Sequence, residues 1–138
     1  MEDIKLLALD LDGTLFNSQK VVSPENKKAL RAARDKGIKV VITTGRPLKA
    51  ISGLLEELDL ISDEDYIITF NGGLVQKTNG DILDKSELTR AQLKRLHSTL
   101  DPLALPFDVL SDGNVYSLAS QGNQSLYPQA NPKLKFVE

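Results

Sequence analysis

The sequence predicts an α/β fold in which a doubly wound parallel sheet is followed by the start of an α+β piece. Over residues 6–70, apolar strand-like segments alternate with segments of helical periodicity, the pattern of a parallel sheet. Beyond that point, short strand patterns pair around Asn79-Gly80 and Asp112-Gly113 and indicate antiparallel hairpins. We therefore place a boundary between two domains, residues 1–80 and 81–138.

The composition narrows the class of function before any motif is considered. The 138 residues include no cysteine and carry a net charge of −2 with both signs mixed. Thiolate and disulfide chemistry are therefore excluded, and neither nucleic acid nor an anionic membrane is indicated as a partner. No apolar stretch is long enough to span a bilayer, and the N-terminus is acidic where a signal peptide would be basic. We expect a cytoplasmic protein.

The first strand leads into two closely spaced carboxylates. The run Leu6–Leu9 is apolar without alternation, which is typical of a strand buried on both faces of a parallel sheet. Asp10 and Asp12 follow it, where ligands bind in such sheets. Two like charges this close favour a shared proton or a bound cation, and Mg²⁺ suits oxygen ligands. The alternative interpretation is a solvated Asp-Gly turn.

Helix and strand signals then alternate through the first domain. Ser23 is a typical N-cap followed by proline, and Gly37 is a typical helix end. Ile38–Thr43 predicts a second buried strand, helical spacing follows Pro47, and Tyr66–Phe70 predicts a third strand. Right-handed crossovers place these strands in the order 1-2-3.

The next segments predict a hairpin and a helix. Leu74–Thr78 and Asp81–Lys85 flank Asn79-Gly80, the strongest signal for a two-residue hairpin turn. Thr89 and Gln92 have the spacing of a capping box, which predicts a helix running to about Leu100.

The remaining residues predict a second hairpin, a loop and a last strand. The hairpin pairs Phe107–Leu110 with Val115–Ala119. The polar, Gly-, Asn- and Pro-containing stretch Gln121–Pro132 predicts a loop, and Leu134 and Phe136 alternate with charges in a last strand.

Three motifs in this order resemble one known family. They are Asp10–Leu15 (Asp-Leu-Asp-Gly-Thr-Leu) after strand one, Thr44–Pro47 after strand two and Asn71–Gly73 after strand three. Together they resemble the haloacid dehalogenase superfamily of phosphohydrolases, in its Cof-type branch. The resemblance covers residues 4–90 well. It implies a Rossmann-like core with an α/β cap inserted after the third strand.

The resemblance implies roles for the two carboxylates. Asp10 matches the nucleophile, which attacks phosphorus and forms an aspartyl phosphate, and Asp12 matches the general acid and base. A raised pKa would suit Asp12 in that role. The resemblance also implies Mg²⁺, held by the side chain of Asp10 and the backbone carbonyl of Asp12.

The resemblance also implies phosphate contacts from Thr44, Gly45, Arg46 and Asn71, each with a plain structural alternative. Thr44 could instead cap the following helix, Arg46 could form a surface ion pair, and Asn71 could serve only an Asn-Gly turn. We interpret His97, between helix-face leucines, as a helix-surface residue outside the site.

The sequence departs from the family pattern in its second half. We find no third-motif lysine and no fourth-motif acidic cluster, and Gly80–Asp84 imitates that cluster only superficially. We therefore expect the chain to stop within the cap and to lose many orders of magnitude in rate. We also expect the first strand to lie at a sheet edge, which favours a homo-oligomer, strand exchange or poor solubility.

These observations favour a Mg²⁺-dependent phosphatase of a small phosphorylated metabolite, such as a sugar phosphate or a phosphorylated cofactor. Two alternatives stay open. The chain could be a non-catalytic remnant that binds phosphate or Mg²⁺ only. It could also be a phosphomutase of the same superfamily.

Overall fold

The computed structural model describes residues 4–111, 113–118, 125–130 and 134–137. The strands are β1 Leu6–Asp10, β2 Lys39–Thr43, β3 Tyr66–Thr69, β4 Leu74–Lys77, β5 Ile82–Lys85, β6 Asp108–Ser111, β7 Asn114–Ser117 and β8 Lys135–Val137. The helices are α1 Pro24–Asp35, α2 Leu48–Glu57, α3 Arg90–Leu100 and α4 Tyr127–Ala130. The chain forms two compact units, Met1–Ser86 and Glu87–Glu138.

The first unit contains a five-stranded sheet in the order β1-β2-β3-β4-β5. Strands β1, β2 and β3 are parallel neighbours, which confirms the predicted order, and β4 and β5 continue the sheet as an antiparallel hairpin. The turn of that hairpin differs from the two-residue prediction. The N–H of Lys77 donates to the carbonyl of Asp81, so the turn has three residues, and Gly80 takes the left-handed position with φ of 106°.

Helices α1 and α2 pack on the same face of this sheet. Leu30 of α1 and Ile51 and Leu55 of α2 join Val40 and Ile42 of β2 in one buried cluster. Successive right-handed crossovers that advance in one direction place their helices on one side of the sheet. As a result, one face of the strands carries the core.

The prediction that β1 is buried on both faces is wrong. Leu7 and Leu9 pack against the core cluster, but Leu6 is 55% exposed and Ala8 is also exposed. Because α1 and α2 share one face, alternate residues of β1 point away from both helices. Ile4, just before the strand, is 70% exposed.

Local signals set the ends of α1 and α2 much as predicted. The hydroxyl of Ser23 accepts from the N–H of Asn26 at the start of α1, and Gly37 follows its end with φ of 79°. Pro47 precedes α2 as its N-cap residue and makes no side-chain capping hydrogen bond.

The second unit contains a three-stranded sheet in the order β6-β7-β8, with β6 and β7 antiparallel and β8 parallel to β7. This confirms the predicted hairpin and last strand. The capping box of Thr89 and Gln92 is present at the start of α3. The predicted loop is wrong in part, because Tyr127–Ala130 forms a short helix; its residues 121–124 and 131–132 lie outside the described residues.

His97 is a packing residue of the second unit, so the helix-surface prediction is wrong. Its Nε2–H donates to the carbonyl of Leu118 at 2.9 Å, and its ring lies 6.1 Å from the ring of Phe107. The side chain therefore holds α3 against the segments that flank β6 and β7. Spacing along the helix could not show this, because both partners come from later segments.

None of the helices in the described ranges has the length and apolar character needed to cross a membrane.

Candidate active site at the carboxyl ends of three strands

The carboxyl ends of β1, β2 and β3 bring the predicted site residues to one edge of the sheet. Asp10 pairs in register with Thr43 on β2, one residue before Thr44. The N–H of Thr44 donates to the carbonyl of Ile68 at 2.9 Å, and the N–H of Asn71 donates to the carbonyl of Thr44 at 3.2 Å. Backbone hydrogen bonds thus tie the loop after β2 to the loop after β3, beside the carboxylate that ends β1.

The loop after β1 presents two carboxylates around a buried anchor. Leu11 is fully buried, whereas Asp10 and Asp12 on either side of it are exposed. Gly13 adopts φ of 84°, a left-handed conformation that a side chain disfavours, and this lets the chain turn back. The hydroxyl of Thr14 donates to Oδ2 of Asp10 at 3.4 Å. Burial of one leucine therefore holds both acids at the surface.

Arg46 forms a two-point ion pair with Asp12. Its Nε and Nη2 atoms lie 2.8 Å from Oδ2 and Oδ1 of Asp12, respectively. This is the fork geometry in which guanidinium binds carboxylate most strongly. Of the two open interpretations of Arg46, the described structure shows the ion pair, and the same fork would also fit a phosphoryl group.

The ion pair changes the expected electrostatics of the site. The hydrogen bonds and the charge of Arg46 hold the pKa of Asp12 below its ordinary value of 3.8, against a smaller opposing effect of burial. The expectation of a raised pKa for Asp12 is therefore wrong for this arrangement. The cationic partner of Asp12 is thus a side chain of the same chain.

We predict that Arg46→Gln raises the pKa of Asp12 and lowers stability at neutral pH by less than about 1 kcal/mol, because the Asp12 side chain is 48% exposed. A carboxylate with a lowered pKa stabilises the fold above its unfolded pKa and loses that effect as the pH falls through the folded value. The stability difference between wild type and variant should therefore shrink below pH 3.8. Urea unfolding in metal-free buffer at neutral and acidic pH measures it.

Lys20→Gln is the matched control for this prediction. Lys20 makes the smallest of the favourable charge contributions to Asp12, so its removal should leave the pH dependence close to wild type. An Arg46→Gln variant whose stability tracks wild type at every pH would show that the pair does not persist in solution.

Thr44 is buried and its hydroxyl is already oriented by the loop. Its Oγ1 accepts the N–H of Arg46 at 3.1 Å, two residues along, and so it does not cap α2 as the alternative interpretation suggested. An accepting hydroxyl still has its own proton to donate. The geometry therefore suits a fixed donor toward an anion at the sheet edge.

The side chain of Asn71 lies so close to Gly45 that it leaves no room for a Cβ atom there. A Cβ at Gly45 would lie 2.7 Å from Oδ1 of Asn71, so a larger residue would displace the amide. Phe70 and Asn71 both have left-handed backbones, with φ of 52° and 55°. Such a conformation is uncommon for asparagine and an outlier for phenylalanine, and backbone strain of this kind clusters at functional sites.

The residues that end β1 fit a magnesium ion with few protein ligands. In the part of the chain that is described, no group of three or more acidic or histidine side chains could hold a metal. The carboxylate of Asp12 is engaged by Arg46, so a metal would be held by the two groups that the family resemblance implies, the carboxylate of Asp10 and the backbone oxygen of Asp12. Mg²⁺ often binds through one or two protein oxygens, with water and phosphate completing its shell.

Sequence reasoning missed two residues near this edge. Thr14, which contacts Asp10, belongs to the same short motif, and that motif was the signal that could have found it. Lys20 acts on Asp12 through its charge, and no sequence signal indicated this, because the bridge between Phe16 and Val22 that closes its segment is visible only in the structure.

A cavity of about 290 Å³ lies at the opposite, amino ends of the strands and contains none of the predicted site residues. There the Ser62 hydroxyl donates to Asp65 at 2.7 Å, and Arg34 pairs with the same carboxylate at 3.5 Å. This arrangement satisfies a buried carboxylate, and we interpret it as structural.

Comparison with known proteins supports the resemblance on which these roles rest. A family profile described as haloacid dehalogenase-like hydrolase matches residues 7–137. The chain is 38% identical over 122 residues to a Bacillus subtilis protein named 5-amino-6-(5-phospho-D-ribitylamino)uracil phosphatase YcsE, covering 88% of the chain and 44% of that protein. It is 32% identical over 114 residues to Phosphatase YwpJ of the same organism, covering 83% and 39%.

A solved structure supports the fold. A haloacid dehalogenase-like hydrolase from Bacteroides thetaiotaomicron superposes with a TM-score of 0.81 at 26% identity, covering 99% of the chain and 52% of that structure. The chain thus spans less than half the length of the two curated relatives and about half of the solved one.

Proposed function

Because this chain belongs to the family of haloacid dehalogenase-like hydrolases, we propose that it carries the nucleophile and the acid-base residue of a Mg²⁺-dependent phosphomonoesterase. The observation that supports this is the meeting of Asp10, Asp12, Thr44 and Asn71 at the carboxyl ends of three neighbouring strands. The relatives named as phosphatases agree with it.

In the proposed reaction the carboxylate of Asp10 attacks phosphorus and the ester P–O bond breaks. Asp12 donates a proton to the leaving alcohol, so that an aspartyl phosphate and a neutral alcohol result. Asp12 then takes a proton from water as that water attacks phosphorus, which releases phosphate and restores Asp10. Bound Mg²⁺ supplies charge that offsets the phosphoryl oxygens.

The proposal requires Arg46 to change partners. The pairing with Arg46 lowers the pKa of Asp12 and so favours the ionised carboxylate, which has no proton to give. A bound phosphoryl group offers the same fork-shaped acceptor with more negative charge, so Arg46 would bind it and release Asp12. Thr44 and the N–H of Gly45 would complete the phosphate contacts.

The substrate class we propose is a small phosphorylated metabolite, such as a sugar phosphate or a phosphorylated cofactor. One relative is named for a phosphorylated ribitylamino-uracil. Asp10 is exposed at the strand-end edge, and under this proposal only the phosphate of the substrate needs to reach its carboxylate.

The test is phosphate release from para-nitrophenyl phosphate by the purified 138-residue chain, with Mg²⁺ and with EDTA. We expect slow release that requires Mg²⁺, because the lysine and second acidic group of the family pattern are not found in this sequence. Covalent phosphorylation of the acid-quenched protein, measured by intact mass, is the companion readout. The absence of both phosphate release and adduct in the presence of Mg²⁺ would contradict the proposal.

Two other outcomes identify the alternatives. If calorimetry detects binding of phosphate and Mg²⁺ but neither adduct nor release is observed, the chain is a binding remnant. A phosphoryl group that appears on a second hydroxyl of a sugar phosphate, detected by ³¹P NMR, indicates a phosphomutase. The aryl phosphate has no such hydroxyl, so the two substrates together separate transfer from hydrolysis.

A further inference from the structure

We propose that Lys20 is a specificity-determining residue, whose ammonium group binds a second negative charge on the alcohol part of the substrate. The preferred substrates are then phosphate esters that carry a carboxylate or another phosphate close to the ester oxygen. This inference rests on the proposed function and adds to it the chemistry of the leaving group. Its support comes from the turn that holds Lys20, from the backbone conformation of that residue and from its position near Asp12.

The turn that carries Lys20 continues directly from the loop that carries the two acids. The N–H of Phe16 donates to the carbonyl of Leu11 at 2.9 Å, which closes the acid loop. Phe16 then forms an antiparallel bridge with Val22, and Val22 is buried. Residues 17–21 therefore form the tip of a short hairpin that is anchored beside the acids.

Asn17 holds this hairpin tip in one conformation. The N–H of Asn17 donates to the carbonyl of Val21 at 3.0 Å, and the N–H of Lys20 donates to the carbonyl of Asn17 at 2.9 Å. The side-chain Oδ1 of Asn17 accepts the N–H groups of Gln19 and Val21 at 2.9 and 3.1 Å. Because an asparagine side chain that bonds the backbone in this way fixes a turn, the backbone of Lys20 is held in place.

Lys20 occupies a position of the turn that favours glycine. Its φ of 57° is left-handed, and in three-residue hairpin turns the left-handed position is the one that glycine fills without strain. A long side chain in this conformation is uncommon, and backbone strain of this kind clusters at functional sites. We therefore attribute the lysine to function and not to the stability of the turn.

The ammonium group of Lys20 is available to a ligand. Within the ranges that the structure describes, it forms neither a hydrogen bond nor a salt bridge. The pKa of Asp12 is lowered chiefly by its hydrogen bonds with Arg46 and, to a smaller extent, by the charge of Lys20. The cation thus lies close enough to act on Asp12, although the two groups do not form an ion pair.

This position places Lys20 on the side of the leaving group. In the proposed reaction Asp12 donates its proton to the leaving alcohol, so a cation near Asp12 acts on the alcohol part of the substrate. Such a cation attracts a second negative charge there and gains nothing from a neutral alcohol. Lys20 therefore discriminates between charged and neutral alcohol parts, while the phosphate contacts stay the same.

The experiment compares phosphoglycolate with ethyl phosphate, two esters with the same P–O–C–C chain that differ in a terminal carboxylate or methyl group. NMR titration of the ¹⁵N-labelled chain in EDTA measures the Kd of each, under conditions in which the proposed reaction does not run. Lys20→Gln removes the charge, Lys20→Arg keeps it, and Lys20→Gly also relieves the left-handed backbone. Lys36→Gln, at the end of α1 and near the amino ends of the strands, removes the same charge elsewhere and is the matched control.

The measured quantity is the Kd of ethyl phosphate divided by that of phosphoglycolate. We expect this ratio to fall by roughly two- to fivefold in Lys20→Gln and Lys20→Gly, the effect of one exposed charge pair. It should stay at the wild-type value in Lys20→Arg and Lys36→Gln. Lys20→Gly should unfold at the wild-type temperature or above, so its lower ratio could not come from damage to the turn.

The outcomes separate this inference from the proposed function. An unchanged ratio in Lys20→Gln, an equal fall in Lys36→Gln, or no binding of either ester would overturn the inference. A ratio that depends on Lys20 in a chain that forms no aspartyl phosphate would support it and contradict only the proposed reaction. Phosphate release by a chain whose ratio ignores Lys20 would do the reverse.

Discussion

Asp10→Asn is expected to abolish Mg²⁺-dependent phosphate release, with a loss of at least about a thousandfold or to background. An amide is a poor nucleophile at phosphorus, so the ester P–O bond of the substrate is not broken and no aspartyl phosphate forms. The same substitution removes the carboxylate that we assign to Mg²⁺. The measurement is para-nitrophenol release together with the mass of the acid-quenched protein, which should show no phosphoryl adduct.

The design separates loss of chemistry from loss of fold. Asp10 is exposed and its described contact is a 3.4 Å hydrogen bond from Thr14, so Asp10→Asn should unfold close to the wild-type temperature. Asp84→Asn, another exposed aspartate of the same unit, is the matched control and should retain full release. Release that persists in Asp10→Asn would place the nucleophile elsewhere or attribute the activity to a contaminant.

Asp12→Asn is expected to stop the reaction halfway. The para-nitrophenolate anion can leave without a proton from Asp12. Asp10 should therefore still be phosphorylated, and one equivalent of the phenol should appear. The second step needs a base to activate water, and its loss should slow turnover by roughly a hundred- to ten-thousandfold. The phosphorylated protein should therefore accumulate, and its mass should persist long after mixing.

Arg46→Gln is the comparison that assigns the defect to the carboxylate of Asp12. It breaks the same ion pair but keeps the acid-base group, so the phosphorylated form should still turn over, although phosphate binds more weakly. An Asp12→Asn variant with an unchanged steady-state rate would remove Asp12 from the mechanism. A variant that forms no adduct would instead show that Asp12 is needed before the phenol leaves.

Local features of the fold could be predicted from the sequence because a few neighbouring residues decide them. The turn at Gly13, the N-cap at Ser23 and the capping box of Thr89 each depend on hydrogen bonds or backbone angles within four residues. The parallel order of β1, β2 and β3 was also predictable, because it follows from the alternation of strands and helices and from crossover handedness. The same order explains why Asp10 and Thr44 lie at one edge of the sheet.

Contacts between distant residues could not be predicted in this way. Arg46 and Asp12 are separated by 34 positions, and no periodicity indicates that the guanidinium turns toward that carboxylate. The hydrogen bond from His97 to the carbonyl of Leu118 is a similar case. Side-chain direction after a strand depends on the loops that surround it, and those loops belong to different parts of the chain.

The family, the strand order and the residues at the carboxyl ends of the strands could therefore be inferred from the amino-acid sequence alone. The pairing of Arg46 with Asp12, which lowers the pKa of that acid, and the exposure of Leu6 on β1 became apparent only from the folded chain. The physical reason is that hydrophobic runs and caps report on a residue's own segment. Burial and charge pairing depend on which face the helices occupy and on which side chains the folded loops bring within reach.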